Sequence, residues 1–313
     1  HQHYWEDGGA NYHNRYSSWE CVRGQEGDHW KGEVDRPQIP PVVMVPQKQT
    51  GGGESGLWRY DWINRKYITE KNDFPQIKCF DLGCEFIEKN KDADNWLLHL
   101  ETFDPHEPFY VQQEYLDKYP EDYDGEHFDW PRGPLEQSEK EVAHCRRQYK
   151  ALVSMCDDSL GRILDLMDRY DMWKDTMLIV GTDHGFMLAE HEYWGKNQMP
   201  YYNENANTPL FIWDPRSRIT GEKRNALVQM IDWAPTLLHY FGVEIPEDMQ
   251  GKDLVETIHT DKPVRRYGLY GVFSGHVNIT DGKTVYMRAP LPEKVNDIYN
   301  YTLMPLHMNN RFT

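Results

Sequence analysis

The chain contains 313 residues, with 34 Lys or Arg against 51 Asp or Glu, which gives a formal net charge of −17 at pH 7. This length suits one large domain or two of ordinary size, and an aromatic content of 13% is too high for a disordered acidic chain. The charge argues against binding of nucleic acid, because proteins that bind it present concentrated Lys and Arg to the phosphates. No run approaches the roughly 20 apolar residues that span a bilayer, which excludes a membrane-spanning protein.

The cysteines are few, odd in number and without a Cys-x-x-Cys pair, which argues against a zinc ribbon or a thioredoxin-type site. We interpret them as reduced structural thiols. The chain opens with His1-Gln2-His3 and shows no signal segment, so we expect a mature or truncated start. Few cysteines and no signal segment favour a cytoplasmic location. The five are Cys21, Cys79, Cys84, Cys145 and Cys156.

The first 75 residues show no sustained helical or strand period, which predicts an irregular segment (1–75) wrapped over a larger body. Apolar spacing then predicts a helix over 80–90, and the apolar run 96–100 predicts a buried strand. A long helix is predicted to begin at Ser138 and to run to about Tyr170, because Glu141 completes a capping box three residues after Ser138.

Two further apolar runs, 177–180 and 209–213, predict buried strands, and an amphipathic helix is predicted over 227–241 with Gly242 as its stop. This order predicts an α/β fold with a mostly parallel or mixed sheet, whose core spans 76–265. The closing segment, 266–313, has a β pattern with a hairpin turn at Asp281-Gly282.

Asp183 and His184 directly follow the predicted strand 177–180, within Gly181-Thr-Asp-His-Gly185. Ligands of open α/β sheets bind at the carboxyl ends of strands, and the flanking glycines allow the chain to turn there. A carboxylate beside an imidazole is a credible ligand pair for a divalent cation. Spacing alone leaves two interpretations open, a functional ligand pair or an incidental dipeptide. The chain contains a second Asp-His dipeptide, Asp28-His29, which follows no predicted strand and is interpreted as incidental.

Lys196 and His106 are the next candidates. Lys196 lies in the loop after Asp183, where near a cation it would attract a tetrahedral oxyanion; a solvated surface charge is the alternative. His106 lies between Pro105 and Pro108 after the predicted strand 96–100, and the prolines stiffen this loop. A surface histidine is the alternative there. The weaker candidates are His127, His191 and His276.

The chain resembles the sulfatase family of the alkaline-phosphatase-like superfamily. The stretch 181–197 is similar to the second metal motif of the family and the sulfate-binding lysine that follows it. Five further segments are similar to bacterial sulfatases, and together they cover nearly the whole chain: 3–9, 103–108, 208–213, 231–238 and 301–305. The resemblance implies an alkaline-phosphatase-like mixed sheet flanked by helices.

The resemblance also implies roles. Asp183 and His184 would ligate a divalent metal, with Ca²⁺ favoured over Mg²⁺ or Mn²⁺, although many relatives have Asn at the position of His184. Lys196 would contact the sulfate oxygens, and His106 would bind the sulfate and act as general acid. The implied reaction is hydrolysis of aryl or carbohydrate sulfate esters, with formylglycine as the nucleophile and metal and cationic side chains stabilising the charge on the transferring group.

The sequence departs from the family in one region. Formylglycine forms from the Cys of a Cys-x-Pro/Ala-Ser-Arg motif, and the 313 residues contain none. The Gly-Lys-x-His motif is absent too, and the one Asp-Asp pair, Asp157-Asp158, lies in the predicted long helix, where a solvated face is the simpler interpretation. All of these elements belong before the family's equivalent of His1. We therefore expect the middle and carboxyl part of a sulfatase, lacking its first strand and nucleophile, and with an incomplete carboxyl end.

Three hypotheses stay open at this point. The residues are part of a sulfatase, with the isolated chain inactive; or the complete protein hydrolyses phosphodiesters or phosphonate monoesters; or the chain is a non-catalytic metal- or partner-binding protein. The expected partners are a small-molecule or carbohydrate sulfate ester and no nucleic acid or membrane. Loss of a first strand would expose apolar surface, which favours association with a second copy or with the missing amino-terminal segment.

Overall fold

The computed structural model describes residues 12–40, 56–196, 200–272, 275–297, 306–307 and 310–311. The chain divides into two compact units, the first formed by residues 1–166, 192–194 and 300–313 and the second by 167–191 and 195–299. The family-like segments 3–9 and 301–305 lie outside the described residues. The division into 1–75, 76–265 and 266–313 stays a prediction. No described helix is both long and apolar enough to cross a bilayer.

The secondary-structure elements are numbered along the chain. The helices are α1 (Gly56–Arg65), α2 (Pro75–Asn90), α3 (Gln113–Leu116), α4 (Glu139–Arg169), α5 (Asn203–Ala206), α6 (Trp233–Tyr240) and α7 (Val255–Thr260). The strands are β1 (Gly133–Pro134), β2 (Leu178–Gly181), β3 (Met187–Leu188), β4 (Tyr193–Gly195), β5 (Leu210–Trp213), β6 (Gly268–Gly271), β7 (Val277–Thr280), β8 (Val285–Arg288), β9 (Leu306–His307) and β10 (Asn310–Arg311).

The long predicted helix is confirmed as α4. The Ser138 backbone amide donates to Glu141 Oε2 at 2.8 Å, and the Glu141 amide donates to Ser138 Oγ at 3.4 Å, which forms the capping box that the sequence indicates. Helix α2 confirms the prediction over 80–90 and begins five residues earlier, because Pro75 occupies its first turn, where its missing N–H has no cost. The five cysteines are free thiols.

Two predictions in the first unit are wrong. The irregular segment 1–75 contains helix α1, whose apolar period is concealed because polar residues of this helix, Asp61, Asn64 and Arg65, are themselves buried. The run 96–100 forms no strand, and Leu97 is 51% exposed. No described strand pairs with this run, and a strand without a neighbour leaves its backbone groups unsatisfied.

Arg65 provides the charged centre of the first unit. Its Nε lies 2.8 Å from Asp61 Oδ2 and its Nη1 donates to Asp129 Oδ2 at 2.7 Å, with all three side chains buried. Burial raises the pKa of Asp61 to about 7, although Arg65 lowers it. Burial also opposes ionisation of Asp129, but Arg65 and His127 outweigh it and hold the pKa of Asp129 well below its usual range. Asp129 is therefore the permanent counter-charge of Arg65.

The predicted strands of the second unit are confirmed. Strands β2 and β5 pair antiparallel, with Leu178 opposite Trp213, and β6, β7 and β8 form an antiparallel sheet in that order. The hairpin turn between β7 and β8 falls at Asp281-Gly282, where Gly282 has a φ of +87°. Backbone N–H groups, that of Thr284 first, donate to the Asp281 carboxylate and lower its pKa to about 2.

The predicted helix over 227–241 is shorter than expected. A 3₁₀ turn, Met230–Asp232, precedes α6, and Gly242 with a φ of +67° ends the helix as predicted. The start is fixed by Asp232, which is fully buried and accepts the backbone N–H groups of Gln229 at 2.7 Å and Lys252 at 2.8 Å. Both carboxylate oxygens of Asp232 also accept the guanidinium of Arg265.

We expect Arg265→Met to lower the free energy of unfolding by about 3–5 kcal/mol, because it leaves the buried Asp232 carboxylate without its counter-charge. Arg266→Met is the matched control, since the neighbouring Arg266 is exposed and its guanidinium lies over the ring of Tyr267, and a loss below about 1 kcal/mol is expected. Urea unfolding of both variants measures the difference, and equal losses would contradict the assignment of Asp232 and Arg265 as a buried pair.

Candidate functional site

Asp183 and His184 lie in the loop that leaves β2, as the sequence predicts. His184 Nδ1 lies 2.9 Å from the carbonyl oxygen of Gly185, and because a carbonyl only accepts, this nitrogen carries the proton. The lone pair of a neutral His184 is then on Nε2, which lies 3.5 Å from Asp183 Oδ2. The Asp183 side chain is 76% exposed, while that of His184 is 26% exposed.

This pair fits two adjacent ligands of a divalent cation. An ion about 2.3 Å from both atoms would see Asp183 Oδ2 and His184 Nε2 at about 100°, close to the right angle between neighbouring ligands of a six-coordinate cation. Within the described residues, no group of three or more His, Cys, Asp or Glu side chains is arranged to hold a metal. Such an ion would take two ligands from this loop and the others from different groups.

Close backbone packing fixes the loop. The Gly185 N–H donates to the carbonyl of Asn205 at 2.9 Å, and a Cβ on Gly185 would collide with the carbonyl oxygen of Glu204. A Cβ on Gly181 would lie 2.6 Å from the indole of Trp233. Neither glycine has a positive φ. The glycines therefore do not supply a left-handed turn. Instead, the missing side chains leave room for the backbone of α5 at Gly185 and for the Trp233 ring at Gly181.

We expect Gly185→Ala to destabilise the protein by about 1–3 kcal/mol, because the methyl group forces this loop away from α5. Gly161→Ala is the matched control: Gly161 lies in α4 with no atom within 4 Å of the added Cβ, so a gain of about 0.5–1 kcal/mol is expected from helix propensity. Thermal unfolding of the two variants gives the comparison. A neutral Gly185→Ala would mean that the loop is not held by this contact.

Lys196 and Tyr201 lie further along the same segment. Lys196 is partly buried, with Nζ 5.7 Å from the ring centroid of Phe186. Burial, followed by the charge of Asp183, raises the pKa of Tyr201 to about 12, so this hydroxyl stays protonated near the carboxylate. The Tyr201 carbonyl accepts the side-chain amide of Asn278 at 3.2 Å, and Asn278 is fully buried. Sequence reasoning missed Tyr201 and Asn278, because neither belongs to a motif.

His106 belongs to the first unit, whereas Asp183, His184 and Lys196 belong to the second. Its Nδ1 contacts the carbonyl oxygen of Glu107 and lies 3.2 Å from Glu107 Oε2, and its ring lies 4.2 Å from that of Phe103. The peptide bonds before Pro105 and Pro108 are both cis. Glu107 thus fixes the orientation of the His106 ring through its Nδ1.

Asp104 lies two residues before His106 and is partly buried. Gln25 Nε2 donates to Asp104 Oδ2 at 3.1 Å, and burial raises the pKa of Asp104 to about 7 against the effect of this hydrogen bond. In the folded protein the carboxyl group therefore keeps its proton to a pH at which the unfolded chain has lost it. The stability that Asp104 contributes is complete below about pH 4 and decreases as the pH rises to about 7.

Asp104→Asn is expected to remove this pH dependence, since an amide still accepts the Gln25 hydrogen bond and has no proton to lose. The variant should match the parent near pH 4 and exceed its free energy of unfolding by about 1–3 kcal/mol near pH 8, the cost of desolvating a polar group. Unfolding by urea across this pH range measures the difference. Parallel stability curves for parent and variant would show that Asp104 ionises freely in the folded state.

Four other residues singled out in the sequence, Asp28, Asp157, Asp158 and His191, have structural rather than ligand-binding interpretations. Asp28 is buried and binds Arg23 at 2.6 Å, so the Asp28-His29 dipeptide has a structural role and is no ligand pair. Asp157 and Asp158 are both exposed on α4, as the solvated-face interpretation predicts. His191 stacks on Tyr202 with 4.0 Å between ring centroids.

Comparison with known proteins decides the family. A family model described as Sulfatase matches residues 51–243, which is more than half of the chain. The chain belongs to the sulfatase family. It is 25% identical over 225 residues to an arylsulfatase of Clostridium perfringens, covering 64% of this chain and 46% of that protein. It is also 26% identical over 265 residues to a choline-sulfatase of Rhizobium meliloti, covering 74% of this chain and 50% of that protein.

Solved structures confirm the fold class. The chain is similar to a phosphonate monoester hydrolase from Silicibacter pomeroyi with a TM-score of 0.59 and 19% identity, over 70% of this chain and 52% of that one. It is similar to a putative sulfatase from Bacteroides fragilis with a TM-score of 0.56 and 22% identity, over 71% and 52%. The fold is alkaline-phosphatase-like. The chain spans about half the length of the curated relatives it matches.

Proposed function

We propose that these residues form part of a sulfuric ester hydrolase that acts on aryl or carbohydrate sulfates. The observation that carries the proposal is the convergence of Asp183 Oδ2 and His184 Nε2, 3.5 Å apart, at the end of β2 and inside the region matched by the Sulfatase model. The printed names of similar proteins support the substrate class, among them an N-acetylglucosamine-6-O-sulfatase of Bacteroides thetaiotaomicron, 28% identical over 53% of this chain and 32% of that protein.

Asp183 and His184 would hold a divalent cation, with Ca²⁺ favoured and Mg²⁺ or Mn²⁺ as alternatives. When bound, such a cation supplies positive charge for the oxygens of the transferring group. Lys196 would bind the sulfate oxygens by its ammonium group, which is worth most where water is excluded. His106 would bind the ester and protonate the leaving alcohol as general acid.

None of these residues is assigned as the nucleophile. The resemblance implies formylglycine, and the 313 residues contain no Cys-x-Pro/Ala-Ser-Arg sequence from which it forms. Burial raises the pKa of Cys79, Cys145 and Cys156, which leaves these thiols protonated and poor nucleophiles. We therefore propose that the nucleophile comes from outside this chain and that the isolated 313 residues are inactive.

A second function in the same superfamily is hydrolysis of phosphodiesters or phosphonate monoesters. It is favoured by a relative from Trinickia caryophylli, described as a multifunctional alkaline phosphatase superfamily protein, which is 29% identical over 56% of this chain and 40% of that protein. Sulfate and phosphate esters present similar tetrahedral oxygens, so Lys196 and the Asp183/His184 pair would suit both substrate classes. A non-catalytic metal- or partner-binding role is the remaining outcome.

Paired assays on protein purified from its source decide between these functions. We expect hydrolysis of para-nitrophenyl sulfate to exceed that of bis(para-nitrophenyl) phosphate and of a phosphonate monoester. Peptide mass spectrometry of the same material should find a Cys-x-Pro/Ala-Ser-Arg peptide with its Cys converted to the aldehyde. Faster turnover of the phosphorus esters would favour the second function. Turnover of the sulfate by the 313 residues alone would overturn the proposed absence of a nucleophile.

In a preparation that hydrolyses the aryl sulfate, we expect Lys196→Ala and His106→Ala each to lower kcat/KM by about 10²–10³-fold, the usual effect of losing one group that stabilises developing charge. Lys223→Ala is the matched control, because Lys223 is exposed and distant in sequence from the candidate residues. It should leave kcat/KM unchanged. Full activity of both site variants would show that neither Lys196 nor His106 takes part in the reaction.

A further inference from the structure

A cavity of about 760 Å³ lies within the first unit, and its lining residues all belong to that unit. Aromatic and polar side chains line it together. The polar residues that matter here are Gln148 and two histidines, of which the His144 side chain is 7% exposed and the His127 side chain 38% exposed. His127 and His144 therefore stand in the wall of the cavity, within reach of solutes.

Each histidine has an outer ring nitrogen, which faces a carboxylate, and an inner ring nitrogen, which faces the other histidine. The outer nitrogens are His127 Nε2 and His144 Nδ1, and the inner ones are His127 Nδ1 and His144 Nε2. His127 Nε2 lies 2.9 Å from Asp129 Oδ2, and His144 Nδ1 lies 3.0 Å from both carboxylate oxygens of Glu121. Each carboxylate is also paired with a guanidinium: Asp129 with Arg65 at 2.7 Å and Glu121 with Arg147 at 2.8 Å. Carboxylates paired in this way are acceptors, so both of these ring nitrogens carry protons.

The inner ring nitrogens then face each other with lone pairs. His127 Nδ1 and His144 Nε2 are 3.3 Å apart, and a neutral imidazole that carries its proton on one nitrogen has only a lone pair on the other. Gln148 Nε2 donates to His144 Nε2 at 3.4 Å, a long contact that reaches one lone pair only, whereas a cation bound to both nitrogens would satisfy both lone pairs. The ring planes are held at 85° to each other, and Tyr123 stacks on His144 with 4.3 Å between ring centroids. The arrangement is thus fixed from both sides.

The separation matches a pair of ligands on one tetrahedral metal ion. Two nitrogens each about 2.1 Å from a tetrahedral zinc ion are about 3.4 Å apart, against 3.3 Å between His127 Nδ1 and His144 Nε2. Histidines that ligate a metal commonly donate their other N–H to a carboxylate, which is the arrangement of Asp129 with His127 and of Glu121 with His144.

We propose that His127 and His144 form a binding site for one transition-metal cation of the zinc class, ligated through His127 Nδ1 and His144 Nε2. In the structure the buried amide nitrogen of Gln148 donates to His144 Nε2 at 3.4 Å, and rotation of this amide by 180° would present its oxygen there as a third ligand. The remaining position opens to the cavity, where water or a ligand oxygen completes the coordination. The site does not depend on the proposed sulfatase function.

The competing occupant is a proton. One extra proton shared between the two inner nitrogens would also satisfy both lone pairs, and would give the pair a single positive charge. A shared proton and a metal ion exclude each other, so metal binding would release the proton and weaken at low pH. The two occupants are therefore distinguished by adding metal and measuring both the bound ion and its coordination geometry.

The test uses the whole chain with Zn²⁺ in calorimetry and Co²⁺ in visible absorption, in millimolar Ca²⁺ so that oxygen-rich sites are filled. We expect one equivalent of Co²⁺ with the strong bands of tetrahedral coordination. His127→Gln and His144→Gln should each abolish it, and Glu121→Gln should weaken it about 10–100-fold while keeping the hydrogen bond to His144. His239→Gln is the matched control, because His239 also pairs with a carboxylate, Asp253, and no histidine among the described residues stacks on its ring.

Metal-free melting temperatures show whether the variants fold, and Glu121→Gln keeps the test valid if the histidine variants do not. Tetrahedral Co²⁺ lost with either histidine and kept in His239→Gln would support the site. Equal binding by the parent and both histidine variants would overturn it. So would the absence of a tetrahedral spectrum combined with a shared imidazole proton seen by NMR, since the pair would then serve as a proton site.

Discussion

Each unit depends on one rule: a buried carboxylate must have a guanidinium beside it. In the first unit Arg65 pairs with Asp129, and in the second Arg265 pairs with Asp232. A buried charge without a partner costs several kcal/mol, so neither pair can separate while its unit stays folded. The same carboxylates also position other groups: Asp129 Oδ2, which Arg65 contacts, also contacts His127 Nε2, and Asp232 Oδ2 accepts the Gln229 N–H in the turn that begins α6.

The two candidate metal sites differ in ligand chemistry for reasons that the structure makes plain. Asp183 offers an exposed carboxylate oxygen beside a single imidazole, a set that suits a hard cation with several water ligands. His127 and His144 offer two imidazole nitrogens and no ligating carboxylate, a set that suits a softer, tetrahedral ion. The carboxylates near these histidines face the ring nitrogens that carry protons, so an ion at the other two nitrogens has no carboxylate ligand.

The sequence predicted those features that depend on local chemistry. The cap at Ser138, the stop at Gly242 and the turn at Asp281-Gly282 are each set by residues within a few positions, and the structure has all three. Prediction from the sequence failed where the local structure depends on residues far away in the chain. The run 96–100 has the composition of a strand but no partner among the described strands, and α1 buries polar side chains whose counter-charge, Asp129, lies 64 positions beyond Arg65.

The same argument separates the two sites. Asp183 and His184 are adjacent in sequence and follow a strand, so their motif could be recognised before any coordinates were known. His127 and His144 are 17 residues apart, and each looks like an ordinary surface or helix histidine in the sequence. What brings their inner nitrogens together is the pairing of Asp129 with Arg65 and of Glu121 with Arg147, four residues that belong to no motif. The ligands of this site are far apart in sequence, and the carboxylates that orient the two rings belong to no motif. The site is therefore recognised only from the structure, where the partner of each ring nitrogen shows which nitrogen carries the proton.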